Sequence, residues 1–247
     1  MKILRWVWLA FTLGLLGYGF YEAMYVAPTE ATMGDIQRIF YYHFPSAMMA
    51  FLFFFVSFIA SIVYLASRRN HPQRAMSADA AALAGAEMGL VFCTLVLIQG
   101  PLWARPVWGI WWTWDVRLTS TLVLWLIYVS YLVLRRFSDS AQTPVLAAVL
   151  AIFGALDVPL VYFSIWFFRT QHPQPVIGGG GSPDPRMLKV FLLNLFTFSC
   201  FGAMLCWWRY RLELLQREVD EAEALESLLE PEESRLTKPK VAAGGSR

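Results

Sequence analysis

The residues best suited to chemistry in this 247-residue chain are tryptophans and one carboxylate, gathered in the run WARPVWGIWWTWDVRLTS from 103 to 120. Trp108, Trp111, Trp112 and Trp114 fill four of the seven positions from 108 to 114, and Asp115 follows at once. Indoles are large, rigid and flat, so a cluster of them offers a flat apolar ligand a shelf to lie on. A carboxylate beside that shelf has to be hydrogen-bonded, paired or solvated. Asp115 therefore orients a ligand or the indoles, or else serves locally as a helix cap or a partner of Arg117. Two of the three histidines, His43 in IFYYHFPSAMM and His172 in FFRTQHPQP, stand at the ends of apolar segments. Haem iron accepts a neutral imidazole from each face, so a pair on one side of the molecule would clamp haem b over the indoles as its axial ligands. The two propionates of haem call for guanidinium, which pairs bidentately with carboxylate, and Arg105, Arg117 and Arg169 are the candidates. Each type also has a plainer use: indoles anchor helix ends at headgroup depth, and single histidines and arginines often meet lipid headgroups there. Anchoring accounts for Trp6, Trp8, Trp166, Trp207 and Trp208, but the density of the 103 to 114 run exceeds it.

The elements that must position these residues follow from composition. The chain is 57% hydrophobic and 15% charged, with the apolar residues in blocks. A membrane-spanning helix needs roughly 20 such residues. Six stretches qualify, near Trp6 to Val26, Phe44 to Ala66, Ala80 to Gln99, Leu118 to Leu134, Pro144 to Phe168 and Met187 to Trp208. The expected fold class is thus an all-α integral membrane protein with six transmembrane helices. Lys2, Arg5, Arg68, Arg69, Arg74, Arg135, Arg136, Arg209 and Arg211 fall on one side, which the positive-inside rule makes cytoplasmic together with both termini. Arg38, Arg105, Arg117, Arg169, Arg186 and Lys189 fall on the other. There lie three loops: 27 to 43, 100 to 117 with the tryptophans, and 169 to 186 with the glycine run Gly178 to Gly181, which reads as a mobile lid. The opening MKILR resembles a signal peptide, but Pro28 after Val26-Ala27 disfavours cleavage, and an uncleaved first helix is expected. Pro106 suits a first helical turn, and a short interfacial helix from there would carry Trp108, Trp112 and Asp115 on one face.

Residues 1–212 form the expected haem-handling membrane domain and 213–247 an acidic cytoplasmic tail. The tail combines an amphipathic helix from Leu212 to Glu230 with a disordered end. From Glu213 to Glu233 it has nine acidic residues against Arg217 alone, which an anionic lipid surface would repel; a protein partner or simple solvation are the options left. Cys93, Cys200 and Cys206 show no CxxC spacing, so disulfides, zinc and covalent haem attachment are not expected. Glu87, Gln99 and Asp157 are costly in a bilayer unless buried in the bundle. A polar contact between Glu87 and Asp157 is one solution.

At the tryptophan run the chain resembles the CcmC family, the haem exporter protein C family of cytochrome c maturation. The resemblance is carried by Trp108-Gly109-Ile110-Trp111-Trp112-Thr113-Trp114-Asp115-Val116-Arg117-Leu118-Thr119, with the HxPSA-like stretch at His43 and the RTxH stretch at His172, and extends to about residue 212. It implies a protein of the bacterial inner membrane that holds haem transiently at its outer, periplasmic face, on the tryptophan (WWD) motif and the two flanking histidines. It implies delivery of that haem to the chaperone CcmE, and association with the transporter-like subunits CcmA and CcmB and with the small protein CcmD. The chain has no Walker A pattern, so nucleotide chemistry would belong to a partner, and a delivery platform is expected before an enzyme. Its partners would be these proteins and the lipid bilayer, with no nucleic acid. The alternatives are a b-type haem subunit of a quinone-linked oxidoreductase and a ligand-free membrane scaffold.

Overall fold

In the computed structural model, residues 2–138, 140–168, 170–172 and 184–229 are described. The Gly178 to Gly181 lid and the end of the tail lie outside them, as does Arg169. Among the described residues every span is helical. The helices are α1 (Lys2–Tyr21), α2 (Phe40–Ser67), α3 (Pro72–Trp108), α4 (Val116–Phe137), α5 (Thr143–Ala155), α6 (Asp157–Phe167) and α7 (Pro185–Leu229). They supply six segments long and apolar enough to cross a membrane, so the protein is a multi-pass helical membrane protein. The chain divides into a first unit, Met1–Tyr210, and a second that starts at Arg211. In the second, Arg217 pairs with Glu213 one turn away at 2.9 Å.

The fifth span differs from the single helix expected. It is broken at Leu156 into α5 and α6. Pro159, three residues on, has no N–H to return to α5, and its ring displaces the preceding turn. The tryptophan run differs too. No separate interfacial helix starts at Pro106; α3 runs through Pro101 and Pro106 to Trp108 and stops on Gly109, whose φ of 78° is the left-handed conformation of a helix C-cap. Residues 110 to 115 are irregular, and α4 begins at Val116.

The bundle is organised about α2 and α3, which approach closely because their facing positions are small. A Cβ added at Gly85 would stand 2.9 Å from both the Phe53 carbonyl oxygen and the Ser57 nitrogen, so only glycine fits. Around this seam Phe53 stacks on Phe92 at 5.8 Å, and Phe54 on Tyr128 of α4 at 3.9 Å. Tyr128 also donates to the Ala151 carbonyl of α5 at 3.2 Å. Two ion pairs tie α3 to its neighbours in the half of that helix remote from the tryptophan run. Arg135 of α4 makes a bidentate pair with Asp79, both side chains nearly buried. Arg209 of α7 pairs with Glu87 at 2.5 Å. Glu87 therefore does not pair with Asp157, whose Oδ2 is buried without a hydrogen-bond partner among the described residues.

At the end of the tryptophan run, Arg38 explains itself. Its guanidinium donates to the Ala23 carbonyl at 2.7 Å and the Ala27 carbonyl at 3.1 Å, closing the first span against the turn before α2.

Candidate functional site

His43 sits in the first turn of α2, where the chain turns back into the bundle. Its ring meets Trp103 of α3 edge-on, with centroids 5.7 Å apart. Gly100, one turn before Trp103, lies against the same ring: a Cβ there would meet His43 Cε1 at 3.6 Å, an ordinary van der Waals contact. His172 follows α6 and its ring meets Trp108 edge-on at 5.8 Å. Each imidazole is thus held against an indole of α3, and these two indoles are five residues apart in one helix. His43 also lies within electrostatic reach of His172 and of Arg117, and His172 within reach of Arg117 and Asp115.

Both imidazoles are half-buried, and on each the Nδ1 atom is shielded without a partner among the described residues. The same holds for Trp103 Nε1, Trp112 Nε1, Gln99 Oε1 and Thr119 Oγ1, all in or beside the tryptophan run. Buried polar atoms are ordinarily hydrogen-bonded, and each exception calls for a reason. Burial pushes the His172 imidazole down to about 4, with the Arg117 charge adding to the shift and Asp115 opposing it. At neutral pH it is an uncharged imidazole, the form that ligates metal.

Asp115 does two jobs with two oxygens. Oδ1 accepts the Leu118 amide at 2.8 Å and so caps α4. Oδ2 accepts the Gln171 amide at 3.1 Å, tying the segment that carries His172 to the start of α4. The local uses weighed for this residue resolve as the cap, with no ion pair to Arg117 within 4 Å among the described residues.

The other indoles divide by exposure. Trp112 is half-buried and meets Trp114 edge-on at 5.7 Å. Trp114 itself is 76% exposed and Trp111 56%, so much of both rings is open. Arg105 lies over the Trp111 ring at 6.0 Å and donates to the Gly109 carbonyl, the cap of its own helix. Arg117, half-buried in the first turn of α4, is the guanidinium within electrostatic reach of both imidazoles. Sequence reasoning counted Trp103 in the cluster without giving it a role, and passed over Gly100.

Fold and site together define a polytopic helical membrane protein of the tryptophan-rich kind, with two imidazoles seated on indoles at one end of the bundle. The family model described as Heme exporter protein C, CcmC, matches residues 1–225. A Heme exporter protein C of Bradyrhizobium diazoefficiens is 34% identical, covering 100% of this chain and 89% of its own length. The Heme exporter protein C of Escherichia coli K12 is 30% identical over 86% of this chain and 79% of its own. A putative cytochrome c biosynthesis ccmC-like mitochondrial protein of Arabidopsis thaliana is 31% identical over 88% and 82%. The chain belongs to the Heme exporter protein C family.

Proposed function

We propose that this protein holds haem b transiently at the periplasmic face of the bacterial inner membrane and delivers it to CcmE during cytochrome c maturation. Membership of the family gives the coarse role, haem handling for cytochrome c maturation. The observation that carries the finer reading is the pair of half-buried imidazoles, each seated on an α3 indole and each with an Nδ1 that has no partner among the described residues. Two nitrogen donors on separate elements, beside a dense run of indoles, suit a flat macrocycle with an iron at its centre.

In this reading His43 and His172 are the axial ligands. Trp108, Trp111, Trp112 and Trp114 form the apolar surface around the ring, and Asp115 is the positioning carboxylate. Arg117, within electrostatic reach of both imidazoles, is the first partner for a propionate, and Arg105 and Arg169 are the further candidates. The exposed rings of Trp111 and Trp114 provide an apolar rim at which a partner protein can meet the ligand. CcmE would dock there, and CcmA, CcmB and CcmD would complete the complex.

The test is the visible spectrum and pyridine haemochrome of the detergent-purified protein, alone and co-expressed with CcmE. Wild type should carry haem. His43→Ala and His172→Ala should each retain less by roughly tenfold or more and leave CcmE unloaded. Haem-free wild type from haem-replete cells under both conditions would sink the reading in favour of a ligand-free scaffold.

A further inference from the structure

The carboxylate of Asp115 joins two pieces of chain that are remote in sequence. One oxygen holds the Leu118 amide at the start of α4, and the other holds the Gln171 amide immediately before His172. Thr113 Oγ1 adds a longer bond to the second oxygen at 3.5 Å. Gln171 and His172 belong to a short irregular stretch after α6, so no helical ladder fixes their backbone. Among the described residues two contacts hold it instead: the Trp108 edge against the imidazole and the Asp115 bond to the preceding amide.

We infer that Asp115 acts as a clamp on the His172 segment, a positioning residue that sets this imidazole rather than one that touches the ligand. The reasoning is one of acceptor count. Two amide donors, Leu118 and Gln171, converge on one side chain, and only a carboxylate supplies an acceptor oxygen to each. Asparagine has a single oxygen and an amide group that donates. Asparagine caps helices as well as aspartate does, so with its oxygen on the Leu118 amide it would turn its own donor toward the Gln171 N–H. The helix start would survive and the clamp would open. This role rests on the assignment of His172 as an iron ligand for its functional meaning, but the clamp itself exists without haem.

The experiment compares wild type, Asp115→Asn and His172→Ala as full-length protein in detergent. Amide hydrogen exchange, read on the haem-free protein, should quicken at Gln171 by roughly tenfold in Asp115→Asn, the scale on which a charge-assisted hydrogen bond protects an amide. Exchange at Leu118 should hold. The haem-loaded variant should move from the wild-type low-spin signature in electron paramagnetic resonance toward that of His172→Ala. Gln171→Pro removes the donor while leaving the carboxylate and its cap intact, and should give the same spectrum as Asp115→Asn. Unchanged exchange at Gln171 in Asp115→Asn would overturn the inference, as would wild-type ligation in both variants. Wild type that takes up no haem would instead sink the haem reading, and the clamp would then stand or fall on exchange alone.

Discussion

His172 carries a charge consequence that can be measured without any ligand. Its imidazole is held down to about 4 by burial first and Arg117 second, against an ordinary value of 6.5. The unfolded chain therefore binds a proton at this residue at a higher pH than the folded one does. Folding stability from the neutral imidazole is fully present above pH 6.5 and is lost as the pH falls toward 4. Thermal unfolding in detergent should fall with acidification across that window, and His172→Gln should flatten the slope; equal slopes would contradict the burial described here. The same site shows what residue types can and cannot announce. His43, His172 and Asp115 were legible because their chemistry is scarce in an apolar chain. The partners were not, because Trp103 against His43 and Gln171 against Asp115 are contacts between segments far apart in sequence, and no local pattern encodes them.

The helices themselves were largely legible, since apolar length alone marks a span and the bilayer leaves the backbone little choice but to be helical. The misses have physical causes. Pro106 suggested the start of a new helix, yet both Pro101 and Pro106 lie inside α3, which ends only at Trp108 with Gly109 as its cap. Pro159 gave the true break in the fifth span and passed unremarked among apolar neighbours. Close packing of α2 on α3 yields a direct test. Gly85→Ala would press a methyl group into the α2 backbone at Phe53 and Ser57, and should cost about 1–3 kcal/mol in a detergent unfolding assay. Wild-type stability in that variant would mean that the two helices are less tightly joined than this. The Asp79–Arg135 pair gives a second test. Asp79→Ala strands a nearly buried guanidinium and should cost about 3–5 kcal/mol, most of it recovered when Arg135→Leu is added. No recovery in the double variant would show that the cost comes from lost packing.

For the molecule as a whole, the orientation proposed from the arginine distribution can be checked by labelling. With the native cysteines replaced by alanine, a cysteine at the exposed Trp114 position should react with a membrane-impermeant thiol reagent added to spheroplasts. One at the exposed Asn70 position should react only after lysis. The reverse pattern would place the indoles in the cytoplasm and remove the delivery route to a periplasmic chaperone. The site in this frame is made of two halves. His43 and Trp103 are brought together by α2 and α3 alone, whereas His172 needs α6 in place and the Asp115 bond formed. Roughly half of the chain separates the two histidines. Synthesis runs from the N-terminus, so His43 and Trp103 are both in the chain before His172 is added. The contact between α2 and α3 is thus one that the chain can make while the segment carrying His172 is still to be added.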